Sequence, residues 1–186
     1  MSPLLISDAN ILIDLEDGEL IIELFKLPFQ LLVPDMLFVD ELETDHSYLL
    51  EYGLQLGELT PESMTEVEVL VNKYKQPSRY DCFALALAKQ QSCPLLTGDK
   101  NLSKTAKQEN VDVKGALWIV EAMIRHQMIS AQAARLAYQR MKQKGRRLPW
   151  SMAENRLSEL EANPQSIGRS GTVLHDYEFA ALRVNL

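Results

Sequence analysis

Short apolar runs and stretches of helical periodicity alternate along the first two thirds of the chain. The runs at residues 4–6, 30–33 and 93–96 are continuous rather than alternating, which is typical of strands covered on both faces of a parallel sheet. Residues 54–59 alternate like a half-buried or edge strand, and residues 111–113 form a last short strand. Helical spacing predicts a helix at residues 11–25, with a break near Asp17-Gly18. It also predicts helices at residues 34–42, 48–53, 60–74, 78–88, 101–109, 115–124, 130–141 and 151–160. This succession predicts an α/β fold, a three-layer α/β/α sandwich around a parallel sheet, with a C-terminal helical extension.

The length and apolar content indicate how the chain is divided. Its 186 residues, 46% of them apolar, suit one domain with a full core and a helical appendage. We expect the α/β domain to cover residues 1–128, and the helical extension with its tail to cover residues 129–186. Apolar runs stay shorter than the ~18 residues of a membrane span, so we expect a soluble, cytoplasmic protein with no membrane partner.

Three acids occupy positions where chemistry is expected in such a fold. Asp8 follows the first strand directly, and Asp99 follows the run at residues 93–96. All carboxyl ends of parallel strands face one edge of the sheet, and helices start at that edge too. Asp81, in the first turn of an apolar helix, would therefore join them. Each acid also has a simpler structural interpretation: Asp8 and Asp81 as helix caps, and Asp99 as a turn residue beside Gly98.

A fourth acid is expected from the helix that follows the second strand. Glu41 is our candidate, and periodicity leaves Asp40 and Glu43 open as alternatives. Asp14, in the first helix, is most simply part of a solvated face.

Converging carboxylates need a cation. Unpaired, they would repel each other and raise one another's pKa. Oxygen ligands without a converging His or Cys select a hard ion, Mg²⁺ or Mn²⁺. Such sites serve phosphoryl transfer, where a metal ion activates a water for attack on phosphorus and a second ion steadies the leaving oxygen. The acids thus predict a metal-dependent phosphoryl-transfer site.

Four short motifs resemble those of the PIN-domain family. They are Asp8-Ala9-Asn10 after an apolar strand, Val39-Asp40-Glu41-Leu42, Ser78-x-x-Asp81 before an Ala/Leu-rich helix, and Leu96-Thr97-Gly98-Asp99. The ordered set, over residues 3 to about 128, is more specific than any single motif. The family has an α/β/α fold and consists largely of Mg²⁺- or Mn²⁺-dependent ribonucleases, including the VapC-type toxins of toxin–antitoxin pairs.

The resemblance implies a function and roles for named residues. Asp8, Glu41, Asp81 and Asp99 would be catalytic metal ligands, and Asn10, Ser78 and Thr97 would support the carboxylates or water. The implied activity is endonucleolytic hydrolysis of RNA, leaving 5′-phosphate and 3′-hydroxyl ends. A toxin role would add an antitoxin partner, and a homodimer is a further expectation. The region after about residue 145 exceeds what a compact toxin needs.

Two other classes of function remain open at this point. One is a non-catalytic PIN-like module that binds RNA or a protein. The other is a phosphotransfer protein with a strand-end Asp. A haloacid-dehalogenase-like phosphatase would need an acid where Asn10 stands, and a response-regulator receiver would need an acid pair before its strand-end Asp.

Charge is segregated along the chain. The net charge is −7, yet residues 1–60 hold 13 acids against the single base Lys26, whereas residues 138–186 hold 5 acids and 8 bases. A basic run spans residues 140–147 and is either a solvated face or a patch that contacts RNA phosphates. Its bases are Arg140, Lys142, Lys144, Arg146 and Arg147.

Overall fold

A computed structural model describes residues 3–162 and contains a five-stranded parallel sheet. The strands are β1 (Leu4–Ser7), β2 (Gln30–Pro34), β3 (Gln55–Gly57), β4 (Leu95–Leu96) and β5 (Val113–Lys114). Their order is β3-β2-β1-β4-β5, and every neighbouring pair is parallel. The predicted fold class is therefore confirmed, and the alternating segment at residues 54–59 forms an edge strand.

Helices connect and follow the strands. They are α1 (Ala9–Asp17), α2 (Ile21–Lys26), α3 (Asp35–Leu37), α4 (Glu43–His46), α5 (Leu49–Tyr52), α6 (Pro61–Lys73), α7 (Arg79–Gln91), α8 (Lys100–Gln108), α9 (Ala116–Arg125), α10 (Ala131–Gln143) and α11 (Trp150–Ala162). A π-helical turn, Phe38–Leu42, joins α3 to α4. Among the helices described, none combines the length and apolarity that a membrane span requires.

Helix α7 is the central helix of the core. Its body, residues 82–88, is buried on every side, because it packs against α6 and against strands β1, β2 and β4. Phe83 and Leu85 are among the largest fully buried side chains. A helix that is apolar on all sides is stable only when it is enclosed. The packing of α7 against the sheet therefore also fixes the position of its first turn.

The chain forms two compact units. The first contains the described residues up to Glu16 together with Pro28–Ala116, and the second contains Asp17–Leu27 and the described residues from Leu117 onward. In the second unit α10 packs on α11, and the rings of Tyr138 and Trp150 meet edge to face at 6.2 Å. The predicted domain boundary at residue 128 stays a prediction, and the tail, residues 163–186, lies outside the described part of the chain.

The helix predicted over residues 11–25 is interrupted, as its Asp17-Gly18 step indicated. Helix α1 ends at Asp17, and α2 begins at Ile21. A Cβ on Gly18 would meet the Met141 side chain of α10, which would have to shift to make room for it.

Candidate functional site

The candidate site lies where the strand order of the sheet reverses direction. From β1 the chain adds β2 and β3 on one side, and then returns to add β4 and β5 on the other. In open parallel sheets, ligands bind beyond the carboxyl ends of the strands at such a switch point. Asp8 directly follows β1, and Thr97 directly follows β4, the strand hydrogen-bonded to β1. The backbone N–H of Asp8 donates to the Leu96 carbonyl at 3.0 Å, which joins the two strand ends.

Asp8 is a buried carboxylate, with only 1% of its surface exposed. Its Oδ1 accepts a hydrogen bond from the Ile11 backbone N–H at 2.9 Å, and its Oδ2 accepts one from the Thr97 hydroxyl. Burial raises the pKa of Asp8 to about 7, and the negative charges of Asp81 and Asp14 act in the same direction. The two hydrogen bonds oppose this rise but do not cancel it. Without a cation, burial therefore favours the neutral form of the Asp8 carboxyl.

Thr97 links Asp8 to Asp99. Its hydroxyl donates to the Asp8 carboxylate and accepts a hydrogen bond from the Asp99 N–H at 3.0 Å. Asp99 caps α8, because its Oδ1 accepts from the Leu102 N–H at 2.7 Å. Its Oδ2 accepts no hydrogen bond from residues 3–162, so this oxygen is available to a ligand.

Asp81 is held by a capping box at the start of α7. The Ser78 hydroxyl accepts from the Asp81 N–H at 3.1 Å, and Asp81 Oδ2 accepts from the Ser78 N–H at 2.8 Å. Burial raises the pKa of Asp81, and the charge of Asp99 raises it further. The capping interpretation and the site interpretation are therefore compatible, since the carboxylate caps its helix and also lies within electrostatic reach of Asp8 and Asp99.

Glu41, the fourth candidate acid, lies on the π-helical turn. Burial raises the pKa of Glu41, and so do the charges of Asp81 and Asp40, although the residue as a whole is exposed. Asp40 is engaged elsewhere, because its Oδ2 accepts a hydrogen bond from the Tyr80 hydroxyl at 2.6 Å. Tyr80 precedes Asp81 in the chain, so this bond ties the turn that carries Glu41 to the helix that carries Asp81. Among the acids left open by the sequence, Asp40 is thus engaged with Tyr80, whereas the charge of Asp81 acts on Glu41.

Asp14 also belongs to this edge, although the sequence pattern assigned it to a solvated face. It is partly buried, and its charge raises the pKa of Asp8. Its Oδ2 would lie 3.9 Å from a Cβ placed on Gly98, the residue between Thr97 and Asp99. A signal was present in the sequence, since Asp14 follows Asn10 by four residues and so shares its helical face.

Asn10 and the basic run are the remaining predicted residues. Asn10 is exposed, and its side chain makes no hydrogen bond to them in the part of the chain described here. The basic run lies in the second unit, where Arg140 pairs with Glu19 at 3.3 Å and Arg146 pairs with Asp17. Lys142, Lys144 and Arg147 are exposed and form no ion pair with residues 3–162. These assignments stay predictions.

The carboxylates fit a hard divalent cation by their chemistry. They supply oxygen donors, and Asp8 has no ion pair with a base within residues 3–162, so a bound cation would restore its charge. No group of three or more His, Cys, Asp or Glu side chains in the described residues is arranged to hold a metal ion by itself. Mg²⁺ commonly needs only one or two carboxylates, with water and substrate phosphate as its other ligands. The described residues therefore supply oxygen donors for such an ion but not a complete set of ligands.

Comparison with known proteins identifies the family. A family model described as a PIN domain matches residues 4–162, which includes the sheet, all four acids and helix α11. No curated protein and no solved structure matches the chain significantly. The match confirms the predicted PIN-like α/β/α sandwich, and PIN domains are generally nucleases that use divalent metal ions. The chain belongs to the PIN-domain family.

Proposed function

We propose that this protein is a Mg²⁺- or Mn²⁺-dependent endoribonuclease. The observation that carries the proposal is the state of Asp8: a buried carboxylate with a pKa raised to about 7, surrounded by further acids at the switch point of the sheet. A carboxylate in that state destabilises an apo protein at neutral pH, because its charge is desolvated. Binding of a divalent cation offsets this cost, so the arrangement is favourable in a metal-dependent site.

The chain's own residues would perform two tasks. Asp8, Asp81, Asp99 and Glu41 would hold the cation, which when bound supplies Lewis-acid activation for hydrolysis of a phosphodiester. Ser78 and Thr97 would keep two of these carboxylates oriented through the hydrogen bonds described above. The expected products are those of the family resemblance, a 5′-phosphate and a 3′-hydroxyl.

The test is cleavage of structured and unstructured RNAs with Mn²⁺ and, separately, with a chelator. We expect Mn²⁺-dependent internal cleavage by the wild type and none by Asp8→Asn. Glu109→Gln is the matched control, since it also removes one carboxylate charge of the same unit but lies outside the acid edge. Chelator-resistant cleavage, or equal loss in both variants, would contradict the proposal.

A second candidate function is a non-catalytic module that binds RNA or a protein. It is favoured by the absence, within residues 3–162, of a ready three-ligand metal group. This function predicts RNA binding without cleavage under any metal condition. It also predicts that Mn²⁺ leaves the thermal unfolding temperature unchanged in the presence of RNA, whereas the nuclease predicts an increase that Asp8→Asn abolishes.

A toxin role is the narrower form of the nuclease proposal. It requires a cytoplasmic protein and an antitoxin that binds it, and the VapC-type resemblance supports it. Expression without the antitoxin should then arrest growth, while Asp8→Asn should not. A small reading frame beside the gene would identify the antitoxin candidate, and light scattering of the purified protein would test the homodimer.

Residues 140–147 are proposed as a further RNA contact. Support comes from five bases without an acid, of which Lys142, Lys144 and Arg147 are exposed. Phosphate contacts make RNA affinity fall steeply with salt, so neutralising these three bases should flatten that dependence.

A further inference from the structure

Helix α8 carries a row of lysines on one face. Lys100, Lys104 and Lys107 are spaced by four and three residues, which places them side by side on a helix, and all three are exposed. The buried residues of the helix, Leu102, Thr105 and Ala106, account for its other face. The sequence of α8 contains no acid that could neutralise the row. We call these three residues the lysine row.

The lysine row differs from the paired bases of the same unit. Lys73 and Lys89 bind Glu109, and Arg79 binds Glu68, whereas the lysine row forms no ion pair with any residue from 3 to 162. Lysines four residues apart repel each other, and Lys100 lies in the first helical turn, where the helix dipole favours an anion. The row therefore presents uncompensated positive charge on an otherwise acidic chain.

The row begins at the acid edge. Asp99 is the N-cap of α8, and its carboxylate binds the N–H of Leu102, so Lys100 directly follows a site residue. At about 1.5 Å per residue, the row extends roughly 10 Å along the helix from this point. That length spans more than one phosphate of a nucleic acid backbone.

We propose that Lys100, Lys104 and Lys107 bind backbone phosphates of RNA and guide the strand to the acid edge. This inference rests on the proposed nuclease function. A cluster of carboxylates repels a polyanion, so an approach path of opposite charge is needed beside it. RNA is favoured over an acidic protein because the row adjoins the place where a phosphodiester must lie to be hydrolysed.

The experiment measures the binding of a fluorescent single-stranded oligoribonucleotide, with chelator present, at several salt concentrations. In K100Q/K104Q/K107Q, the loss of three phosphate contacts should reduce the slope of log affinity against log salt by about 2. The variant K100R/K104R/K107R keeps the charge and should retain the slope. All three side chains are exposed, so circular dichroism and thermal unfolding should match the wild type.

A second variant separates a local effect from a change in net charge. K26Q/K75Q removes two exposed lysines that have no proposed RNA contact, and for each charge removed its effect on the KM for RNA cleavage should be smaller than that of K100Q/K104Q/K107Q. Equal effects of the two variants for each charge removed, or an unchanged salt slope in the α8 variant, would overturn the inference. Binding of poly-glutamate, a stand-in for an acidic protein, is measured in parallel. If K100Q/K104Q/K107Q loses poly-glutamate binding but keeps RNA binding, the inference is overturned in favour of an acidic protein partner.

Failure of the nuclease function itself would look different. If the wild type cleaves no RNA with Mn²⁺ but the lysine row still sets the salt slope of binding, the catalytic proposal fails and the phosphate-binding surface stands. If cleavage is normal and insensitive to the row, the surface fails and the nuclease stands.

Discussion

Asp8 and Glu109 lie in the same unit and experience opposite electrostatic environments. Glu109 accepts hydrogen bonds from Lys73 at 2.7 Å, Lys89 at 2.8 Å and the Tyr74 hydroxyl at 2.6 Å. These bonds lower the pKa of Glu109 to about 2, so it stays ionised. Burial raises the pKa of Asp8 to about 7, and the charged groups acting on it are other acids.

The difference separates a structural carboxylate from a candidate functional one. The partners that satisfy Glu109 are supplied by the chain, which leaves no role for an external cation. Asp8 receives only neutral donors, Thr97 and the Ile11 N–H, and its environment favours the charged form only when a cation is added. Perturbed carboxylates of the second kind cluster at functional sites.

The largest expected effect is the loss of activity in Asp8→Asn. Asparagine has the shape of aspartate and can still accept from the Ile11 N–H, but it cannot supply a negative oxygen to a cation. We expect RNA cleavage to fall on the order of 10³-fold or more, because several kcal/mol of transition-state stabilisation are lost. Single-turnover cleavage with Mn²⁺ measures this. Glu109→Gln should cleave within about twofold of the wild type, and wild-type rates in Asp8→Asn would refute the assignment.

Stability should depend on pH in opposite directions at the two carboxylates. The raised pKa of Asp8 means that the folded apo protein binds more protons than the unfolded chain between about pH 4 and 7, so the contribution of Asp8 to stability falls as pH rises through this window. The lowered pKa of Glu109 means that its contribution is full above about pH 4.5 and is lost as pH falls towards 2.

Urea unfolding with chelator measures both effects. Asp8→Asn should gain on the order of a few kcal/mol relative to the wild type as pH rises from about 4 to 7. Glu109→Gln should lose a smaller amount above about pH 4.5, because its partner Lys73 is exposed and solvent screens the pair. A pH-independent difference between Asp8→Asn and the wild type would show that Asp8 is not protonated by burial.

Thr97→Val tests the hydrogen bond that links Asp8 and Asp99. It removes a donor that lowers the pKa of Asp8, so that pKa should rise further and the pH profile of cleavage should move to higher pH. We expect cleavage to fall about 10- to 100-fold at neutral pH, the range for groups that orient metal ligands. Thr105→Val, at another buried threonine of the same unit, is the control. Equal activity of the two variants would remove Thr97 from the site.

The smallest effect is expected from two tyrosine hydroxyls. Tyr80→Phe deletes the bond to Asp40 that ties the Glu41 turn to α7, and cleavage should fall about two- to tenfold, as expected for one hydrogen bond. Tyr74→Phe deletes a bond to Glu109, and it should lower the free energy of unfolding by about 1 kcal/mol without changing cleavage. If Tyr74→Phe reduced cleavage and Tyr80→Phe changed only stability, the distinction between the surroundings of Glu109 and the acid edge would be wrong.

Sequence patterns predicted much of this fold and part of the candidate site. Continuous apolar runs marked the buried strands, and the capping-box pattern Ser78-x-x-Asp81 marked the start of α7. The convergence of Asp8 and Asp99 followed from the parallel sheet alone, because its strand ends share one edge. The sequence also indicated the helix break near Gly18, although it could not show that Gly18 lies beside Met141, more than a hundred residues further along the chain.

Other features depend on contacts between distant segments. The sequence named Glu41 as the candidate acid and left Asp40 and Glu43 open, and only the tertiary structure shows that Asp40 accepts a hydrogen bond from Tyr80. The position of Asp14 beside Gly98 and the ion pairs of Arg140 and Arg146 likewise depend on tertiary neighbours. Periodicity records which face of an element is apolar, whereas the charge state of Asp8 is set by burial and by the partners that packing supplies. The sequence by itself therefore determined which residues were available, and the tertiary structure decided which of them carry an unsatisfied charge.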